Sequence, residues 1–163
     1  MWLYNFGLSL YAFAIALVSP WHRKAKRWRD GRKHLLQRMA EAIDPSEPIV
    51  WVHVASLGEF EQGRPIIEKI RLEHPRYKIL LTFFSPSGYE IRKDYPGADY
   101  IFYLPIDTPR NARRFLDIVR PEIAIFVKYE FWINLLTGLR RRGIRTYIAV
   151  SYTHLRAHET PEH

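Results

Sequence analysis

The sequence contains no cysteine. That excludes a disulfide framework, a thiolate metal site and a cysteine nucleophile, and it fits a reducing compartment. Acidic residues are the minority, 17 Asp and Glu against 25 Lys and Arg, for a net charge of +8. No G-x-G-x-x-G run is present, so a dinucleotide fingerprint is missing. Between Trp2 and Pro20 there is no Asp, Glu, Lys, Arg or His. What is present excludes a disordered tail: 47% of residues are hydrophobic and 26% are charged. The 163 residues leave room for one domain.

The excess positive charge is concentrated directly behind the uncharged stretch. Arg23, Lys24, Lys26, Arg27, Arg29, Arg32, Lys33 and Arg38 are opposed only by Asp30, a net +7 of the chain's +8. As a helix, the uncharged nineteen residues would span about 28 Å, close to the thickness of a bilayer's hydrocarbon core. Trp2, Tyr4 and Trp21 lie near its ends, where amphipathic rings favour the membrane interface. A secretory signal carries its charge before the apolar run; here the charge follows it. The pattern predicts a membrane anchor over residues 1–21, spanning the bilayer or lying in its interface, with a buried N-terminal helix of a soluble domain as the alternative that leaves the charge asymmetry unexplained, and a basic juxtamembrane helix over 22–48 ending near Asp44-Pro45. The positive-inside rule then puts the remainder on the cytoplasmic side. A nucleic-acid-binding domain would carry such charge on its folded body, so no nucleic-acid partner is expected.

From Ile49 onward five apolar runs read as strands: 49–55, 78–84, 100–105, 123–129 and 146–151. They are rich in Ile, Val, Phe and Tyr, and several are apolar on both faces, as buried parallel strands are. The connectors carry helical signals. Ile66, Ile67 and Ile70 form one face, which Pro75 ends. Thr108 suits an N-cap before Pro109, with Ala112, Phe115, Leu116 and Val119 as the buried stripe. Trp132, Leu135, Leu136 and Leu139 recur at helical spacing, and Gly143 suits the C-terminal cap. The predicted fold is α/β, a Rossmann-like, doubly wound parallel sheet over 49–151 preceded by the anchor helix. Its binding surface should lie at the carboxyl ends of the strands.

Three strand exits carry candidate chemistry. The first, Ser56-Leu57-Gly58-Glu59, is a small-residue turn in which Gly58 would let the backbone turn sharply. Glu59 either serves as a general base toward a hydroxyl or complements a helix N-terminus. The second, Ser85-Pro86-Ser87-Gly88, either offers donors to an anion or is an ordinary capped turn. At the third, Lys128 and Glu130 are either part of a site or a structural ion pair. Arg110, Arg113 and Arg114 read as a solvated face, or as contacts to an anionic lipid surface. His53 faces core or cleft. The final histidines do not make a zinc motif: after His158, the position a second ligand would need is Glu162, and Pro161 interrupts the helix.

Taken together, the segments HVASLGEFEQGRPIIEKI, TFFSPSGYE, YLPIDTPRNARRFLDIVRP and KYEFWIN, with the apolar and basic N-terminus, resemble the N-terminal domain of the 3-deoxy-D-manno-octulosonic acid (Kdo) transferases. The resemblance covers residues 1 to about 151. It implies the acceptor-binding half of an inverting GT-B glycosyltransferase of lipopolysaccharide assembly that uses no cofactor and no catalytic metal. It implies a lipid A precursor as acceptor, CMP-Kdo as donor held by a C-terminal domain, and the cytoplasmic face of the inner membrane, with its lipids, as the place of action. Glu59 falls on the family's general base and Glu130 on the second acidic position of its E-x-E-x-W-P-N pattern. Lys128 replaces the first acidic position, and Ile133 the usual Pro. Ser56, Gly58, Ser85, Ser87, Gly88, Lys128 and Glu130 are then the acceptor-contacting residues. Residues 152–163 depart from the family and read as foreign sequence. The chain is accordingly expected to lack the donor domain and to be inactive alone. Two other readings fit the residues: a GT-B half for another lipid-linked acceptor, or a membrane-tethered binding module that is not an enzyme.

Overall fold

The runs of β-branched and aromatic residues after Ile49 pair into one sheet. In the computed structural model, which describes residues 1–128 and 130–150, the strands are β1 (Ile49–Val54), β2 (Lys78–Phe83), β3 (Tyr100–Tyr103), β4 (Ile123–Val127) and β5 (Arg145–Ala149). All neighbours are parallel, in the order β3-β2-β1-β4-β5. The register runs from Ile49 opposite Lys78 to Val54 opposite Phe83 on one side of β1, and from Val50 opposite Ile123 to His53 opposite Phe126 on the other. Every residue of β1 is buried, because a central parallel strand is covered by helices on both faces. Ser151, Tyr129 and the tail 152–163 that the sequence reading singled out lie outside the described residues.

Helices α4 (Leu57–Glu73), α5 (Pro86–Arg92), α6 (Pro109–Val119) and α7 (Ile133–Arg141) follow β1, β2, β3 and β4 in turn. Alternation along β1 divides the core in two. Val50, Val52 and Val54 pack with Phe60 and Ile67 of α4, and with Ile79, Leu81 and Phe83 of β2. Ile49 and Trp51 pack on the other face with Phe115 and Leu116 of α6 and with Leu135 and Leu139 of α7. Each such side chain, fully buried, contributes about 1.5–3 kcal/mol. The predicted stripe of α6 is buried at all four positions, and Thr108 caps the helix by accepting the Asn111 N–H at 3.2 Å. Gly143 has φ +65, the left-handed geometry expected after a helix end.

The basic segment departs from expectation. It forms two short helices, α2 (Arg23–Asp30) and α3 (Leu35–Ala42), not one. The break at 31–34 has a physical cause. A Cβ at Gly31 would lie 2.2 Å from the Tyr103 ring, so the chain there is pressed onto β3. Arg32 turns inward instead of continuing the helical surface: it donates to the carbonyls of Leu104 at 3.0 Å and Phe84 at 2.9 Å. His34 takes φ 52 to redirect the chain. Helix α3 is not a linker in packing terms, since Leu35, Met39 and the following Ile43 enter the core with Trp51 and Phe115.

The N-terminal stretch forms α1 (Trp2–Val18), 17 residues with none fully buried. No helix among the described residues is long and apolar enough to cross a membrane. One side of α1 rests on the domain: Tyr4 donates to Asp107 at 2.6 Å, and the Tyr11 ring meets Trp28 edge-on at 5.9 Å. The other side leaves Trp2, Phe6, Leu10, Phe13 and Leu17 exposed.

Candidate functional site

In an open parallel sheet, ligands bind beyond the carboxyl ends of the strands, where the strand order reverses. Here that point lies between β1 and β4, because the chain leaves β1 toward β2 on one side and reaches β4 on the other only after β3. The β1 exit carries Glu59 and the β4 exit carries Glu130, so the two acidic residues flank the reversal. Glu59 occupies the third position of α4 and is partly exposed. Its Oε2 accepts the Ala55 N–H at 2.6 Å, which fixes the carboxylate at the helix N-terminus and satisfies a backbone donor. Its other oxygen has no hydrogen-bond partner among the described residues. Glu130 is half-buried. Burial first, and then the charge of Glu59, push its carboxyl above the usual range. One oxygen of Glu59 therefore supports the helix start, while the side chain as a whole stays partly exposed.

The second exit adjoins the first. The Ser85 N–H donates to the Ala55 carbonyl at 2.8 Å. Ser85 caps α5 by accepting the Ser87 N–H at 3.4 Å, and the two hydroxyls share a 2.8 Å hydrogen bond. Gly88 is required by packing, for a Cβ there would lie 2.6 Å from the Phe83 ring and 3.0 Å from the Leu57 nitrogen. Gly58 corrects the sequence reading. It is the second residue of α4, takes no left-handed φ, and a Cβ there would meet nothing within 4 Å. The turn is made by Ser56 in extended geometry, and the Ser56 side chain does not cap the helix. What Gly58 supplies is open space next to Glu59.

Lys128 is exposed and has φ 64, a left-handed geometry that costs a non-glycine residue on the order of 1–3 kcal/mol. Its N–H donates to the Ala149 carbonyl at 2.8 Å, and no ion pair joins it to Glu130 among the described residues. His53 is a core residue. It is fully buried, shares a 2.9 Å hydrogen bond with Thr82, and burial pushes its imidazole down to about 3. Thr82 also accepts the Trp51 indole N–H at 2.8 Å. Arg110, Arg113 and Arg114 are on the exposed side of α6. Among the described residues no three His, Asp or Glu side chains are grouped closely enough to hold a metal ion.

Two groups at this rim, a buried Asp107 and a partly buried Arg32, escaped the sequence reading. Asp107, beyond β3, caps α7 from 27 residues away: its carboxylate accepts the Asn134 N–H at 2.9 Å and the Leu135 N–H at 2.8 Å. The Tyr4 hydroxyl completes that set, and the Asn134 side chain reaches Asn5 at 2.8 Å, so the same node seats α1. Burial pushes the Asp107 carboxyl up. Arg32 lies with its guanidinium 4.1 Å from the Trp28 ring centroid and 4.9 Å from those of Phe84 and Tyr103. The available signals were slight: an acid just before a Thr-Pro cap, and a glycine interrupting a basic helix.

The fold is thus a Rossmann-like parallel sheet with two carboxylates flanking its reversal point and an apolar helix seated on the same rim. The comparisons make the class specific. Residues 26–153 match the sequence model of the 3-deoxy-D-manno-octulosonic-acid transferase (kdotransferase) N-terminal domain. The chain belongs to this family. It is 31% identical to the 3-deoxy-D-manno-octulosonic acid transferase of Haemophilus influenzae over 121 residues, 69% of this chain and 28% of that protein. It is 37% identical to the Aquifex aeolicus transferase of the same name over 97 residues, 59% of this chain and 27% of that protein. A probable mitochondrial transferase of Arabidopsis thaliana is 30% identical over 142 residues, 80% of this chain and 32% of that protein. The chain thus spans less than a third of the length of these relatives.

Proposed function

We propose that this domain is the acceptor-binding half of a transferase that moves Kdo from CMP-Kdo to a lipid A precursor with inversion and without a catalytic metal. The observation that carries the reading is the carboxylate pair, Glu59 and Glu130, at the sheet's reversal point in a chain of this family. On this reading the donor is held by the family's C-terminal domain, outside the matched residues.

The chemistry asked of the site is modest. An acceptor hydroxyl must lose its proton as its oxygen attacks the anomeric carbon of CMP-Kdo, while the bond from that carbon to the phosphate oxygen breaks and CMP leaves with the electron pair. The rim oxygen of Glu59 takes that proton, while its partner oxygen stays on the Ala55 N–H and keeps the carboxylate aimed. Glu130, whose carboxyl is pushed up by burial and by the Glu59 charge, faces the same reversal point and contacts the sugar from the β4 side. Ser56, Ser87 and Lys128 supply further polar contacts along the rim, and Gly58 leaves room for the acceptor. The exposed face of α1 lies in the membrane interface, with the basic residues of α2 against anionic headgroups on the cytoplasmic face of the inner membrane.

The test is Glu59→Gln in a full-length transferase carrying this domain. The amide oxygen can still accept from Ala55, so the fold is kept and only the base is lost. Turnover should fall about 10²–10⁴-fold with acceptor KM nearly unchanged. Near-normal turnover would leave Glu59 with its helix-supporting role alone.

A further inference from the structure

We propose that the groove between α1 and α2 holds one acyl chain of the lipid acceptor, so that tail and sugar of the same molecule are read by adjoining parts of the rim. This rests on the acceptor reading above and names a contact that reading does not require. The groove is open to solvent along one side and has a volume of about 370 Å³. Its walls are apolar: Tyr11 and Ile15 of α1, Ala25 and Trp28 of α2, and Phe84 and Pro86 at the β2 exit.

Three observations point to an acyl chain of a negatively charged lipid. First, the walls are already held in place. The Tyr11, Trp28 and Phe84 rings contact one another at 5.9–6.5 Å between centroids, and Arg32 is fixed against Trp28 and Phe84. An ordered apolar space binds a chain without first having to form. Second, the polar lining includes His22 and Lys24, neither of which has an ion-pair partner among the described residues, so the groove complements an anionic headgroup. Third, the groove adjoins the candidate site at the β2 exit. Ser85 lines it, and the Ser85 N–H is bonded to Ala55, the residue that holds Glu59. Helix α1 supplies one wall from its inner side while its outer side exposes Leu10, Phe13 and Leu17, so a chain can pass laterally from a leaflet into the groove. That adjacency to the sugar site favours the acceptor over bulk phospholipid.

Each methylene withdrawn from water is worth about a fourfold change in affinity. The experiment measures binding of the acylated acceptor and of its deacylated form to the 163-residue chain in a neutral detergent. Wild type should prefer the acylated form by about tenfold or more. Ala25→Phe and Ile15→Trp fill the groove and should reduce that preference to about twofold, with adsorption to phosphatidylglycerol vesicles unchanged. Should the filled variants not fold, Tyr11→Ala decides: it lengthens the groove and should shift the optimum toward longer acyl chains. A preference untouched in the filled variants, or an optimum unmoved in Tyr11→Ala, overturns the proposal. So does equal competition by phosphatidylglycerol, which would make bulk lipid the occupant. A chain that binds both acceptor forms equally loses this inference and keeps the acceptor reading; one that binds neither loses both.

Discussion

His53 makes the domain's stability depend on pH in a way that can be calculated. Its imidazole is fully buried, and burial holds it at about 3 in the folded chain against 6.5 when free. Between those values the unfolded chain binds a proton that the folded chain refuses. Stability is therefore complete above pH 6.5 and is lost as pH falls toward 3. At pH 5 the unfolded histidine is about 97% protonated, and the linked loss relative to pH 7.5 is about 2 kcal/mol. With a urea dependence of about 2 kcal/mol per molar, that lowers the unfolding midpoint by about 1 M. The control is His53→Gln, which can still bond to Thr82 but does not titrate. Asp107 and Glu130 titrate in both proteins and cancel in the difference. Urea unfolding at pH 7.5 and pH 5 should give a midpoint shift about 1 M larger in wild type than in the variant. Equal shifts would mean that His53 takes up its proton in the folded state, and the burial argument would fail.

Asp107→Ala leaves the Asn134 and Leu135 N–H groups buried without their acceptor and should cost about 2–4 kcal/mol by chemical denaturation. Tyr4→Phe removes one of the hydrogen bonds that seat α1 and leaves the Asn134–Asn5 bond in place. It should cost about 1 kcal/mol and speed amide exchange in α1 while leaving the sheet protected. Gly63→Ala puts a Cβ 2.8 Å from Val127 at the end of β4, and the strain outweighs the helix-propensity gain of about 1 kcal/mol. Adding Val127→Ala should recover the loss in a double-mutant cycle, and a purely additive cycle would count against the contact.

The strands were legible because their signal is local. Runs that are apolar on both faces mark buried parallel strands, and all five appear within two residues of their predicted limits. The α6 stripe and its Thr108 cap were legible for the same reason. The α2–α3 break was not, because its cause is a contact with Tyr103, some seventy residues away. Gly58 misled in the opposite direction: a glycine in a turn suggests backbone geometry, yet its use here is empty space. Asp107 was hidden because an acid beside Thr-Pro looks like an exposed loop residue until α7 is brought onto it.

By itself the sequence determined the alternating elements, the concentration of charge behind an apolar helix, and the motif residues that join this chain to its family. Each of these depends on periodicity, turn chemistry or spacing along the chain. Only the tertiary structure decided that β1 stands at the centre with β4 beside it, which brings Glu59 to Glu130. It also decided that α1 lies along the same rim and that one oxygen of Glu59 is occupied by Ala55. Those outcomes depend on strand order and on contacts between distant segments, which local pattern does not encode.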